Sequence, residues 1–178
     1  MTSGSVRVHI RDATLCDLPA MTTIYADAVE HTLATLDTST PTLESRTEWF
    51  HHHDDRHSVL VADMAGKVIG WASVSAWSDK GGYRDTAEAS VYVAPEWHRQ
   101  GIGKTLLTEL ASRAQSIGLH VLLARISTTN QTSLNMVRGI GFGDVGTMRE
   151  VGHKFGKPVD VQVLQMLLDG QPDASHSR

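Results

Sequence analysis

The stretch Val91-Tyr92-Val93-Ala94-Pro95-Glu96-Trp97-His98-Arg99-Gln100-Gly101-Ile102-Gly103-Lys104 decides how this chain is read. It begins inside an apolar, β-branched run, residues 87–94, that predicts a central strand closed by Pro95. It ends where a helical stripe begins, with Ile102, Leu106, Leu107, Leu110 and Ala114 on one face and Gly118 as the stop. Gly101 and Gly103 let the intervening backbone turn tightly and bring several N–H groups close to a ligand. The helix start adds unsatisfied N–H groups and a positive dipole end, an anion site suited to a pyrophosphate. Arg99 and Lys104 add charge at its edges. Neither a P-loop nor the third glycine of a dinucleotide fingerprint is present. Taken alone, the loop fits an ordinary strand–helix turn with a glycine hinge equally well.

Outward from this stretch, hydrophobic periodicity organises the rest. Residues 6–12 alternate and predict a first strand. Asp17-Leu18-Pro19 starts a helix that Ile24, Ala28, Val29 and Leu33 continue. Residues 35–40 form a loop, and residues 42–53 a second helix buried through Leu43, Trp49 and Phe50. Strands follow at 58–63 and 67–77, then a glycine-containing loop at 78–84. Beyond the central helix come a strand at 120–126, a helix at 131–139, and strands at 145–151 and 159–168. These make one α/β domain over residues 1–168, followed by a polar tail at 169–178.

Composition narrows the function classes. A formal net charge of −4 argues against nucleic-acid binding by bulk electrostatics. No apolar run reaches membrane-span length, and the first residues lack the core of a signal peptide. Cys16 is the only cysteine, so neither an internal disulfide nor a cysteine-based metal site can form, and a cytoplasmic location is expected. Cys16 itself reads as a small core residue. His51-His52-His53 invites a metal reading, but consecutive helical residues point in different directions, so no metal is expected.

Four patches in order resemble the GNAT superfamily of N-acetyltransferases. Residues Val91 to Gly103 are similar to its acetyl-CoA-binding core, and Asn130, Ser133 and Gly141-Phe142 to its second patch. Within it, Thr35, Pro41-Thr42-Leu43-Glu44, Gly82-Tyr83-Arg84, Thr86 to Val93, and Arg149 to Gly156 resemble the phosphinothricin and methionine sulfone/sulfoximine acetyltransferases. The resemblance implies a mixed, mostly antiparallel sheet of about seven strands, splayed between the fourth and fifth, with about four helices. It implies acetyl-CoA as cosubstrate, pantetheine along Val91, Tyr92 and Val93, and pyrophosphate on Arg99, Gln100, Gly101, Ile102, Gly103 and Lys104. Asn130 and Ser133 then contact the cosubstrate from the other side of the splay, and a homodimer is expected by analogy. Two positions depart from the superfamily pattern. His98 stands where Gln or Arg is usual, and Val137 where a tyrosine often serves as acid.

Acetyl transfer to an amine needs a base, because most of the amine is protonated near neutral pH. Glu88 is the candidate, a lone carboxylate in the apolar strand Ala87-Glu88-Ala89-Ser90-Val91-Tyr92-Val93, where burial is expected to raise its pKa. The resemblance places the family's proposed base there too, and gives the oxyanion to the backbone N–H of Val93. Water protonates the leaving thiolate in the absence of a tyrosine at 137, with Tyr92 a weak substitute. The acceptor is expected between Thr35, the loop bearing Ser78, Asp79, Lys80 and Arg84, and the turn near Lys154. Arg84 and Lys154 can hold a carboxylate, although solvated surface charges would look the same. The expected reaction is acetylation of a small amino-acid-like amine. Acetylation of a protein N-terminus or an aminoglycoside, and acyl-CoA sensing without catalysis, stay open as alternatives. Glu88 speaks against the last.

Overall fold

The computed structural model describes residues 7–168. Val6, at the start of the expected first strand, and the polar tail at 169–178 lie outside the described residues. Strand β3 (Lys67–Ala76) is buried continuously from Val68 to Val74, which requires cover on both faces. It lies inside a seven-stranded sheet of order β1-β2-β3-β4-β5-β7-β6. The other strands are β1 (His9–Asp12), β2 (Val59–Met64), β4 (Thr86–Val93), β5 (Val121–Ser127), β6 (Gly143–Lys154) and β7 (Lys157–Leu167). Every neighbouring pair is antiparallel except β4–β5.

Side-chain alternation divides the interior into two cores. Helices α3 (Ile102–Ser116) and α4 (Gln131–Arg138) cover one face, packing Leu106, Leu107, Leu110 and Leu134 on Leu60, Ala72, Leu122 and Leu164. Helices α1 (Leu18–His31) and α2 (Leu43–His51) cover the other, with Met21, Ile24 and Tyr25 on Val59, Val61 and Trp71. Each fully buried leucine contributes roughly 1.5–3 kcal/mol relative to exposure. No helix among the described residues is long and apolar enough to cross a membrane.

The elements match the periodicity closely, and the differences have local causes. In α2, Leu43 is half exposed, contrary to expectation, and Arg46 is buried in its place. The Arg46 guanidinium lies 4.0 Å from the Trp49 ring, 4.5 Å from Trp71 and 4.7 Å from Tyr25. An aromatic box of this kind compensates a desolvated cation. Burial also holds Arg46 below the usual arginine range. Strand β6 runs beyond the expected 145–151, because a bulge at residues 149–151 is followed by renewed pairing, Gly152 with Val159. Glu150 takes a positive φ of 50° there, and its N–H donates to Asp160 Oδ1 at 2.7 Å. The β6–β7 turn uses Phe155 and Gly156, both at positive φ, as a two-residue hairpin of primed type requires.

Cys16 is exposed rather than a core residue. It sits in a single 3₁₀ turn, Leu15–Asp17, whose inward positions are taken by Asp17 and then Leu18. The Arg11 guanidinium grips Asp17 with two bonds of 2.8 Å and reaches Asp63 at 2.9 Å, tying β1 and β2 to the start of α1. Together with the Thr14 N–H, this pushes the Asp17 carboxyl down to about 2. A folded-state value below the unfolded one means that the carboxylate's contribution to stability is complete above about pH 4. It is lost as the pH falls toward 2. Asp17→Asn is therefore expected to lower stability at neutral pH and to flatten the acid limb between these values, as read by urea unfolding across pH.

Candidate functional site

The parallel pair β4–β5 is short. It registers Thr86 with Val121, Ala87 with Leu122 and Glu88 with Leu123, and then stops. From Ala89 onward β4 is paired only with β3, and from Ala124 onward β5 only with β7. The two strands separate and leave a gap in the middle of the sheet. Trp77 N donates to Thr86 O at 3.3 Å, and Ala94 N to Ile69 O at 2.9 Å. With the intervening register, these fix the even-numbered residues of β4 as the ones bonded to β3. Ala89, Val91 and Val93 thus turn their backbone N–H and C=O groups toward the gap. Buried backbone groups of this kind need partners.

Past the gap, Arg99 (φ 61°) and Gly101 (φ 82°) fold the loop back in left-handed conformations. Gly101 is the N-cap of α3 and supplies no side-chain cap. The first N–H groups of α3 therefore face outward as a donor cluster with the dipole behind them. A Cβ on Gly103 would press on Met136 Sδ at 3.2 Å, so a side chain there would crowd the wall between α3 and α4. His98 Nε2 donates to the Val93 carbonyl at 2.8 Å, which ties the loop to the end of β4.

Gap and loop open into one cavity of about 650 Å³. Of the residues expected to hold a cosubstrate, Val91, Tyr92, Val93, Arg99, Gly101, Ile102, Gly103, Lys104, Asn130 and Ser133 all line it. Gln100 does not, because its side chain folds back to donate to Glu96 O at 3.3 Å. Asn130 caps α4, its Oδ1 accepting from Ser133 N at 3.2 Å, so it combines the cap and the wall. Val137 is buried in the core. Tyr92 packs toward α1, 4.9 Å from Tyr25 ring to ring, and burial pushes its phenol well above the ordinary range, making it a weaker proton donor. The donor cluster, the unpaired strand edge and the apolar flank of Ile24, Leu33 and Met136 match, in turn, a pyrophosphate, an amide-bearing arm and an acyl thioester.

A second cavity of about 490 Å³ adjoins the first and shares Val91, Tyr92, Asn130, Ser133 and Met136 with it. Glu88 lines it, one-fifth exposed, on the same face of β4 as Tyr92. The carboxylate is not isolated among apolar groups as the sequence suggested. Both its oxygens are held by Arg125 of β5, Nε to Oε1 at 2.6 Å and Nη2 to Oε2 at 2.7 Å. This pair raises the Arg125 pKa. The Arg125 guanidinium also lies 5.6 Å from the ring of Trp77, which is partly exposed at the end of the strand.

The expected acceptor residues are not all brought together. Thr35 lines the second cavity, and its Oγ1 is 2.9 Å from the Tyr25 hydroxyl, which donates to Asp37 at 2.7 Å. Burial pushes the Tyr25 phenol up to about 12. Ser78, Asp79, Lys80 and Arg84 stand outside this wall, on and beside a 3₁₀ turn, Gly81–Tyr83. Arg84 is exposed and paired with Asp85 at 3.4 Å. Lys154 is buried, its Nζ donates to Thr35 O at 2.7 Å, and burial lowers its pKa. It lines a separate recess with Thr38 and Phe155. Residues that sequence reading missed include Arg125, Asp37, Met148 and Val151. Arg125 carried the same signal as Glu88, a lone charge in an apolar strand. The bulge that brings Met148 and Val151 to the cavity has no such signal.

A family model described as "Acetyltransferase (GNAT) family" matches residues 19–142. An L-methionine sulfoximine/L-methionine sulfone acetyltransferase of Pseudomonas aeruginosa is 41% identical over 90% of this chain and 94% of its own length. The crystal structure of a phosphinothricin acetyltransferase from Sinorhizobium meliloti in complex with acetyl-CoA superposes with a TM-score of 0.89 at 32% identity, covering 96% of this chain and 93% of that one. That of a ribosomal-protein-alanine N-acetyltransferase from Brucella melitensis gives 0.87 at 42%, covering 90% and 99%.

One contact shapes the second cavity in a testable way. A methyl group at Gly152 would overlap Leu36, between Thr35 and Asp37 of the cavity wall. Gly152→Ala is expected to destabilise the protein by about 1–3 kcal/mol in urea unfolding. The double variant with Leu36→Ala should recover most of that loss, a coupling that a double-mutant cycle reads directly.

Proposed function

This chain belongs to the acetyltransferase (GNAT) family, and from that premise we propose that it acetylates the amine of a small amino-acid-like acceptor, of the methionine sulfone/sulfoximine or phosphinothricin type, with Glu88 as general base. The observation that carries the reading is the junction of the two cavities, which share Val91, Tyr92 and Asn130, with a carboxylate in the second. The enzyme is an acyltransferase that uses acetyl-CoA. Acetyl-CoA supplies an acetyl group activated as a thioester, so that a C–N bond forms as a C–S bond breaks.

The protein's own contributions follow from position. The uncapped start of α3, with Arg99 and Lys104 beside it, holds the pyrophosphate. Backbone groups of Val91 and Val93 pair with the pantetheine arm, restoring the ladder that the sheet gives up. The Val93 N–H faces the place where negative charge develops on the carbonyl oxygen. Glu88 removes a proton from the amine, which must be neutral to attack. A cavity of about 490 Å³, walled by residues 33–37 and the β6 bulge, suits an amino-acid-sized acceptor better than a polypeptide. Acetylation of a protein N-terminus is the second reading, favoured by the Brucella neighbour's name.

We propose in addition a cytoplasmic homodimer. The free, solitary Cys16 suits a reducing compartment. Val145, Val151, Phe155 and Leu167 are exposed apolar side chains on the β6–β7 hairpin, which a second copy would cover.

Two measurements test this. In a thiol-release assay with acetyl-CoA, methionine sulfone or phosphinothricin should turn over, and Glu88→Gln should lower kcat by roughly 10²–10⁴-fold with acetyl-CoA binding retained. Turnover of an alanine-initiated peptide alone would favour the second reading, and binding of acetyl-CoA without turnover of any amine would sink both. For the assembly, light scattering should give twice the chain mass, and one chain mass for the variant Val145→Glu/Phe155→Glu.

A further inference from the structure

The base proposed above already has a partner in the geometry described. Each oxygen of Glu88 accepts a short hydrogen bond from Arg125, 2.6 and 2.7 Å, in the parallel fork typical of a strong guanidinium–carboxylate pair. A carboxylate engaged in this way keeps only its outer lone pairs for an incoming amine, and Arg125 competes with the amine for it. Drawing Arg125 away gives the amine the whole carboxylate.

The cavity itself indicates what can draw it. Among its described lining residues the charged groups are Asp37, Glu88 and Arg125, so Arg125 is its one cation. Arg84 points away to Asp85, and Lys154 is committed to the Thr35 carbonyl. Asp37 is engaged by the Tyr25 hydroxyl. Arg125 is half exposed, its Nη1 makes no hydrogen bond to the described residues, and its guanidinium lies against the Trp77 ring. It is therefore anchored at its stem, supported beside an aromatic ring, and open on one edge to a planar anion.

We infer that Arg125 takes the carboxylate of the acceptor, and that this exchange of ion pairs releases Glu88 to accept the amine's proton. The inference rests on the amino-acid reading of the acceptor. An α-amino acid brings one carboxylate and one ammonium group a short distance apart. The carboxylate replaces Glu88 on the guanidinium, one ion pair for another, with no net charge left uncompensated. The ammonium then lies beside a carboxylate that has just lost its partner, and one proton passes from nitrogen to the Glu88 oxygen. An amine without a carboxylate leaves Glu88 shared with Arg125. Arg125 is thus a specificity-determining residue, selecting zwitterionic acceptors before any acetyl group moves.

The test compares methionine sulfone with its carboxamide, which keeps the amine and removes the negative charge. With acetyl-CoA saturating, the wild-type protein should prefer the acid by about tenfold or more in kcat/KM. In Arg125→Gln the acid should lose at least about tenfold through KM, while the carboxamide gains as Glu88 is released. The ratio of the two should therefore collapse. Arg125→Lys, which keeps the charge without the fork, should fall between. Calorimetric acetyl-CoA affinity equal to wild type shows that each variant is folded. An acid-to-carboxamide ratio in Arg125→Gln equal to wild type overturns the inference, as does a wild-type protein that uses both compounds equally well. In both of those cases the proposed function stands. If the wild-type protein acetylates neither compound nor any other amino acid, that reading fails, and this one with it.

Discussion

Everything at this site follows from a ladder that stops. Three register pairs join β4 to β5, and beyond Glu88 and Leu123 the strands part. A sheet normally satisfies its own backbone, and a central strand with one open edge is costly unless something else provides the partners. The two cores hold the strands apart from both faces, so the opening does not depend on a ligand to exist. On the α3 side the gap meets a helix start without a side-chain cap. Farther back along β4 it meets Glu88 and the loop of Thr35 to Asp37. One interruption of hydrogen bonding therefore creates a cosubstrate channel and an acceptor chamber that share walls.

Local physics made most of this legible in the sequence. The glycine loop, the stripe of Ile102 to Ala114, and the β-branched run ending at Pro95 are short-range signals, and the elements fall where they predict. Ten of the eleven residues expected around the cosubstrate line one cavity, while the eleventh, Gln100, is turned away by a bond to its own loop. What sequence could not supply was pairing across distance. Glu88 and Arg125 are 37 residues apart and meet only because β4 and β5 lie parallel in one register. Arg84, expected near the acceptor, is paired with Asp85 outside the cavity, and Arg125, which lines it, was not among the expected residues. The β6 bulge depends on three residues facing Asp160, a count that no periodicity reveals.

Burial overrode residue type in a few places, each for an identifiable reason. Leu43 is half exposed and Arg46 buried, its guanidinium stacked among the rings of Tyr25, Trp49 and Trp71, which offset part of the cost of desolvation. Cys16 faces water because the Arg11 grip turns Asp17 inward. Lys154 is buried because a loop carbonyl needs its proton. In each case a polar group with a specific partner took the inside position from an apolar neighbour.

The bond from His98 to the Val93 carbonyl has a consequence for molecular recognition. An unpaired strand residue ordinarily offers a ligand one donor and one acceptor. With one lone pair of its carbonyl taken, Val93 offers a full donor but a reduced acceptor, and the end of the strand is biased in one sense. A group rich in lone pairs is favoured there over a group that brings only an N–H. Neutral imidazole protonated at Nε2 and imidazolium both make this bond, so the discrimination does not depend on the charge of the ring. The histidine that departs from pattern thus biases the polarity of the gap at the end of the strand.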